Sequence, residues 1–515
     1  MSKQKIFLAG IIVLYLLNGM YSIRHLSITF DEGSHFSYGI RVLKGDPEKY
    51  KAEADNSKMP ISALNAIPRA AEQIFNKGLI KFDGGQSDVL NGRYITLLFS
   101  VLTILLVFIW ATQLYGPNAG LFAAFLMSLC PNNLAAAVLV TTDAYSSFFL
   151  LASMYMLWRY CNNNNTNNSI GFTVVLAVAQ AAKQSLAHVY VIALIALCVY
   201  WFALGKKIQH AVLLKRLLLF ITISWLVVNA CFLFYKPFMA LGDYHFISHA
   251  FLQLQQALPA KFPVPMSKAF VAGLDMAKYY DQIGGGHTGN PESSFGNVTI
   301  LGHSSTGGNF WYYYFVTIFY KTPVATLILF SWSLYYLFTK STLQSFIKKE
   351  WLLLLPAVYF LLFMSFLYNT QCGIRHLAFI YPLLYIFISG LLQYINSSTK
   401  KIVLAGLSIY LAASVLFYYK NYFAYTNEFI LNKTMAYEKV GASNISFNQG
   451  QWYLKQYLKD HPDVQYAPTT AQKGKFVLML DEYMDIWNYN RYGWLKHYAP
   501  VDNVANDCYL IFDVH

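Results

Sequence analysis

Two adjacent carboxylates, Asp31 and Glu32, follow directly on the first apolar stretch of the chain. An acid at a water–lipid boundary is partly desolvated, which raises its pKa and improves its basicity, so Asp31 is read as a general base. Neighbouring residues do not share a helix face. Glu32 is therefore expected to complete the catalytic pair from elsewhere, orienting the site or contacting a cation. Capping of a helix over 33–44 is the competing role for Asp31, because Asp is a preferred N-cap residue.

The cations that would answer these acids are spread along the chain. Arg375 lies in a short polar turn (369–376), and its guanidinium suits bidentate contact with phosphate oxygens. His376 beside it offers a second hydrogen bond, and Lys58 can approach the same anion. Snorkelling to lipid headgroups is the alternative for Arg375. Lys183 falls between two short apolar runs, where an ionisable group points to function, although a loop lysine fits equally. Lys321 lies about ten residues, roughly 15 Å, inside a long apolar run. It would touch an anionic phosphate or pair with a buried acid, and Pro323 is expected to break the helix beside it. Asp143 opens an apolar run as either an N-cap or a second acid of the site. His245, His249, His287 and His303 share one stretch, but their spacing fixes no metal site. No cofactor is called for, a divalent cation being the single alternative.

These residues must be positioned by membrane helices. The 515 residues are 56% hydrophobic and 12% charged, about half the charge of an ordinary soluble domain. Forty Tyr and 39 Phe suit a protein whose amphipathic rings line interfaces and grooves. The net charge of +13 is explained by Lys and Arg flanking spans, with some left for anionic headgroups or a phosphate, and nucleic acid is not required. Six scattered cysteines have no metal-like or disulfide-framework spacing.

Apolar runs at 6–23, 95–115, 118–140, 144–160, 170–182, 186–204, 215–235, 311–339, 351–368, 377–395 and 402–419 predict a mainly α, polytopic membrane bundle of about eleven spans. The first run is read as a retained anchor, since no small-residue cleavage site follows it. Basic residues recur in alternate loops (Arg159; Lys206, Lys207, Lys215 and Arg216; Lys340, Lys348 and Lys349; Lys400 and Lys401), which puts the N-terminus in the cytoplasm and the C-terminus outside. The glycosylation-like triplets of the Asn-rich run 162–168 then lie on the cytoplasmic side and carry no meaning. A module over 1–419, with external loops at 24–94 and 236–310, precedes a tail at 420–515. Interfacial amphipathic helices are expected at 33–44 and 60–79. The tail predicts a small extracytoplasmic α/β domain, from a helix at 447–459 and strands at 475–480 and 508–514. The glycine-rich run 284–289 lacks the Lys-Ser/Thr ending of a phosphate loop and is read as a flexible closing loop.

At the external loops the chain resembles a family. Phe30-Asp31-Glu32-Gly33-Ser34-His35 with the following Gly-Ile-Arg-Val-Leu-Lys-Gly run, Asn56-Ser57-Lys58-Met59-Pro60, and Thr142-Asp143 resemble the signatures of polyprenyl-phosphate-sugar-dependent membrane glycosyltransferases, the protein O-mannosyltransferase and aminoarabinose-transferase class with the C-type glycosyltransferase fold. The segments from Phe310-Trp311-Tyr312-Tyr313-Tyr314 to Lys321-Thr322-Pro323, and from Gly373-Ile374-Arg375-His376 to Tyr381-Pro382, are similar in order and topology. Tyr425-Thr426-Asn427-Glu428 and Ser443-Asn444 to Gln449 are weaker echoes. Two departures stand out. Ser446, Phe447 and Asn448 replace a usual Asp-Trp-Gly, and Gly302-His303 replaces a usual Gly-Glu, so the acceptor contacts are where this chain should differ.

The resemblance implies an inverting transfer of a monosaccharide from a polyprenyl-phosphate donor to a hydroxyl on protein, lipid or glycan, at the outer face of a bacterial inner membrane. Arg375, His376, Lys58, Lys183 and Lys321 would then serve the donor phosphate. Asp143, Tyr313 and His303 would contact substrate, Tyr313 by stacking on sugar or prenyl carbons out of an aromatic belt. A transporter or flippase of lipid-linked sugars is the alternative, and a glycan-binding receptor a third. A transporter predicts charges deep in the spans and pseudo-symmetric halves, whereas this chain collects its charges in external loops.

Overall fold

The computed structural model describes residues 3–77, 86–204, 210–284 and 296–515. Every apolar run falls on helix, from Lys3–His25 to Ser398–Leu416. Five of the described helices are long and apolar enough to cross a membrane, or up to seven if each of two bent pairs counts as one span. Three of the other expected spans fall on shorter apolar helices, Thr166–Ala179, Trp351–Phe366 and Ala378–Tyr394. Proline breaks two of the expected spans. Pro131 starts a helix directly after Pro117–Ser128, and the pair bends by 67°. Pro323, which lacks a backbone N–H, separates Tyr313–Lys321 from Val324–Lys340, and that pair bends by 110°. Other helices are simply short: Thr166–Ala179 has 14 residues, roughly 21 Å against a hydrocarbon core of about 30 Å.

After the first span the chain turns at 26–31 into the helix Glu32–Leu43, and Pro60–Ser62 leads into the helix Ala63–Lys77. Both are amphipathic, with Phe36 and Ile40 buried against Ala66, Val89 and Val140. The chain beyond 231 forms a two-stranded hairpin (Met239–Ala240 with Pro263–Val264) around the helix His249–Ala257, and then the helix Lys268–Ile283. Apart from Gly284, the glycine-rich run 284–289 lies outside the described residues, as do His287, Lys206 and Lys207.

The tail ends in a four-stranded sheet with the order Val464–Tyr466, Gly474–Met479, Tyr509–Val514, Asp502–Val504. The first pair is parallel and the others antiparallel, with Phe476 opposite Phe512 and Leu478 opposite Leu510. Its strands are apolar on both faces because both faces are covered. Phe476, Leu478, Leu510 and Phe512 pack against residues 424–445 and 480–495. Val477 and Ile511 pack under Tyr453, Leu454 and Tyr457 of the helix Gln451–Asp460.

Candidate active site

Asp31 occupies the N-cap position of Glu32–Leu43 but makes no side-chain cap bond. Its carboxylate points instead to Arg375, which donates from Nη1 at 3.0 Å, and to the Lys58 ammonium at 3.9 Å. Capping is therefore not its role. Burial by itself would raise the Asp31 carboxyl, but the Lys58 and Arg375 charges override it and hold the group well below the usual carboxylate range. The raised pKa expected from desolvation is corrected, because two cations facing one acid outweigh the loss of water. The Arg375 guanidinium, which burial alone would lower, is in turn held above its ordinary pKa by the Asp31 and Asp143 carboxylates.

Glu32 points the other way and is fully buried. Arg93 grips it with Nε at 2.8 Å and Nη2 at 2.6 Å, and the amides of Thr29 and Val140 donate to it at 2.8 Å each. Arg93, equally buried, also donates to the carbonyls of Leu26 and Ser27. A carboxylate so enclosed cannot reach a substrate, which corrects its placement in a catalytic pair. It contacts a cation and anchors the 26–31 turn from which Asp31 projects.

The second acid lies beside the first. Asp143 starts the helix Asp143–Asn162 and accepts the Lys183 ammonium at 2.7 Å. Arg375 is set by its turn. Gly373 has φ of +96°, and a Cβ there would meet the Ser443 carbonyl oxygen at 2.6 Å, so only glycine lets the tail approach so closely. The Tyr313 hydroxyl accepts the Gly373 amide at 2.8 Å, and Asn444 accepts the Ile374 amide at 2.8 Å. Tyr313 is buried and holds this turn, which corrects the expectation that it stacks on substrate. The Arg375 guanidinium lies 4.1 Å from the ring centre of Phe447, a cation–π contact to a ring that is also stacked on Phe423 at 5.5 Å.

One cleft of about 290 Å³ joins these groups. Asp31, Lys58, Asp143, Lys183, Arg375 and His376 all line it. Among the residues that sequence reasoning passed over, His35 lines it too, one helical turn beyond Asp31. Burial and then the Lys58 charge push the His35 imidazole well below its ordinary pKa, so it is neutral at pH 7. Burial likewise lowers His376.

The far wall is supplied by the tail through Ser443, Ser446, Phe447, Asp481, Ile486 and Trp487. Ser446 donates a short hydrogen bond to Asp481. The tail also clamps the turn before Asp31. Ser27 donates its amide to the Gln449 carbonyl at 3.0 Å and its hydroxyl to Asn448 at 2.8 Å, while Phe30 packs edge-on to Trp487 at 5.5 Å.

Besides Tyr313, two expected contacts lie outside this cleft. Lys321 is buried at the helix break, where its ammonium donates to the carbonyls of Phe423 at 2.7 Å and Asn444 at 2.6 Å. The bend at Pro323 turns it toward the tail rather than down a span, so it ties the tail to the bundle and reaches only a much smaller adjoining cavity, which Asp143 and Arg375 also line. His303 is exposed on the strand His303–Thr306, whose preceding turn is bonded to Glu438 and Lys439. Among the described residues no three His, Cys, Asp or Glu side chains converge on a metal position.

The family model for dolichyl-phosphate-mannose-protein mannosyltransferase matches residues 85–225. No curated protein matches the chain significantly. Among solved structures, ArnT from Cupriavidus metallidurans in the apo state is similar at 11% identity over 99% of this chain and 98% of that one, with a TM-score of 0.47. The Archaeoglobus fulgidus oligosaccharyltransferase in its apo form matches at 12% identity and a TM-score of 0.50, over 90% of this chain and 60% of that one. The archaeal oligosaccharyltransferase AglB from the same organism, in complex with an inhibitory peptide and a dolichol-phosphate, matches at 13% identity and 0.50, over 91% and 61%. The resemblance stated from the sequence is borne out over residues 85–225 by the family match.

Proposed function

We propose that the chain transfers a monosaccharide, with inversion, from a polyprenyl-phosphate donor to a hydroxyl acceptor on protein, lipid or glycan. The reaction would run at the outer face of a bacterial inner membrane, with the residues from 420 onward capping the site from the extracytoplasmic side. The single observation that carries this reading is the convergence of Lys58 and Arg375 on Asp31 in one cleft. An acid so strongly paired is a weak base. A donor phosphodiester that takes over Arg375 and Lys58 removes the charges that depress Asp31 and leaves the carboxylate facing the acceptor hydroxyl. Lys183, now held by Asp143, is the third cation in reach of the cleft.

The acceptor oxygen then attacks the anomeric carbon opposite the phosphate, and the carbon–oxygen bond to phosphate breaks. The hydroxyl proton passes to Asp31, and the polyprenyl phosphate leaves as an anion held by Arg375 and Lys58. The fold supports this reading to the extent that AglB, of similar fold, was solved with a dolichol-phosphate.

The test is transfer of radiolabelled sugar from a panel of polyprenyl-phosphate monosaccharides by the purified protein and by Asp31→Asn. Turnover by the parent that falls by about 10²–10⁴-fold in the variant, with donor binding retained, is expected. Donor binding without turnover in the parent, accompanied by lipid movement across liposomes, would replace the enzyme with the flippase.

A further inference from the structure

The segment 233–262 reads from sequence as part of an external loop, yet only Lys236, Asp243 and Lys261 in its thirty residues carry formal charge. A soluble surface would hold about a quarter charged residues. Leu241, Tyr244 and Phe246 are buried in a small cluster of their own, but other large apolar side chains point outward: Phe234 is 42%, Phe238 55%, Leu254 46% and Phe262 45% exposed. On the helix His249–Ala257, Ala250 and Leu254 stand at i and i+4, and Leu258 continues the same stripe at i+8. A patch of this kind on a soluble protein marks an interaction surface.

The backbone says where the patch lies. The preceding helix, His210–Cys231, is one of those apolar enough to cross a membrane, with only 11% of its spanning window buried in the protein. Immediately after it Leu233, Phe234, Lys236 and Phe238 all take left-handed backbone angles, with φ of 56°, 49°, 45° and 61°. Non-glycine residues in that region are strained, and the strain is kept here by a sharp turn-back. The chain then folds down along the span it has just left. Trp225 donates from its indole to the Pro265 carbonyl at 2.6 Å, and its ring lies 5.9 Å from Phe238 and 6.2 Å from Phe234. Trp225 precedes the helix end at Cys231 by six residues, roughly 9 Å. The hairpin root is therefore beside the lipid-facing end of a span, below its tip.

We infer that 233–262 is a blade lying in the outer leaflet, with the lipid surface as its partner. Trp225 marks the interfacial depth, as indole rings do. The blade's apolar side chains face acyl chains, and Lys236 and Lys261 lie at headgroup level. The helix Lys268–Ile283 continues from the blade, with the Lys268 amide bonded to the Tyr235 carbonyl at 3.0 Å. That helix gives Ala277 and Tyr280 to the cleft, so the blade holds one cleft wall at the membrane surface. The inference is independent of glycosyl transfer.

The test places an environment-sensitive fluorophore at Leu254→Cys in the full-length protein reconstituted in liposomes, with the unsubstituted chain labelled in parallel as baseline. Lys473→Cys, on an exposed part of the tail, is the water reference, and Phe262→Cys repeats the measurement on the hairpin. Expected is strong quenching by lipids brominated near the ester end of the acyl chain, with iodide quenching several-fold weaker than at position 473. Iodide quenching equal to that reference at both blade positions, without quenching from brominated lipid, would overturn the blade and leave a solvent-facing loop.

Discussion

The two walls of the cleft differ in charge and in origin. The membrane-side wall carries Lys58, Lys183 and Arg375 against Asp31 and Asp143, a formal +1, whereas the tail wall carries Asp481 alone, a formal −1. A sugar linked to a polyprenyl phosphate is a monoanionic diester, so the membrane wall has the surplus it needs and the tail wall does not. The membrane wall's cations are already engaged by carboxylates at 2.7–3.9 Å. An incoming phosphate therefore exchanges partners with an acid, which sets recognition by geometry and leaves little non-specific pull on anions. The tail wall contributes shape through Phe447, Ile486 and Trp487, and it clamps the Asp31 turn through backbone bonds that charge does not reach.

The comparison would break most severely at the foundation of the membrane wall. Arg93→Met leaves Glu32 charged, buried and unpaired, and should cost about 3–5 kcal/mol of stability. It should be seen as a large fall in the thermal unfolding midpoint in detergent, while Asp31→Asn, whose carboxylate is partly open to the cleft, moves the midpoint far less. Equal shifts would mean that the two neighbouring acids share one role.

Next in size is the asymmetry between the walls. Arg375→Ala should lower kcat/KM for the donor by about 10²–10³-fold, the effect of removing one preorganised charge from a leaving-group site. Asp481→Asn should leave donor KM within a few-fold and act on the acceptor side. A donor KM that responds equally to both would erase the distinction. Smaller still is Phe447→Ala, which removes a cation–π contact of about 0.5–2 kcal/mol and should be rescued by Phe447→Trp.

What the sequence made legible follows the same division. Residues from the first loop, the start of Asp143–Asn162 and the 369–376 turn were readable because each sits at the edge of an apolar run, and an ionisable group there has few structural reasons to exist. Helix geometry separated Glu32 from Asp31 and pointed it to a cation, but its complete enclosure was not legible. Its burial is decided by Arg93, 61 residues on, reaching back beneath the turn. Lys321 misled because a proline break was foreseen but not its 110° turn, which sends the amine to the tail. Tyr313 looked like a belt aromatic, while its hydroxyl serves the Arg375 turn. The tail's contribution was illegible. Asp481 and Trp487 reach the cleft only because the strand Gly474–Met479 delivers them to it, and no motif marks that register. Even so, the departures from the family pattern make sense in place. Asn448 holds φ of +68° where a glycine is usual, and Ser446 is bonded to the carboxylate of Asp481 where an acid is usual.

The subtlest difference between the walls is one of pH. His35 stands on the membrane wall facing Lys58, Asp31, Asp143 and Arg375, and burial with the Lys58 charge lowers its pKa well below 6.5. For a histidine whose folded pKa is depressed, the unfolded state binds the proton first. Stability is then fully present above about pH 6.5 and falls as the pH drops from there toward the folded value. The slope is about 1.4 kcal/mol per pH unit for one proton. Asp31 works in a lower window, since its stabilisation is lost only as the pH falls below 3.8 toward its own depressed value. His376 shares the upper window, because burial lowers it as well. His35→Asn should therefore flatten, without abolishing, the loss of thermal stability between pH 6.5 and 5, while Ser446→Ala on the tail wall should leave the slope as it is. An unchanged slope in His35→Asn would mean that this imidazole takes up its proton in the folded protein as readily as in the unfolded chain, and that the membrane wall is wetter than its burial indicates.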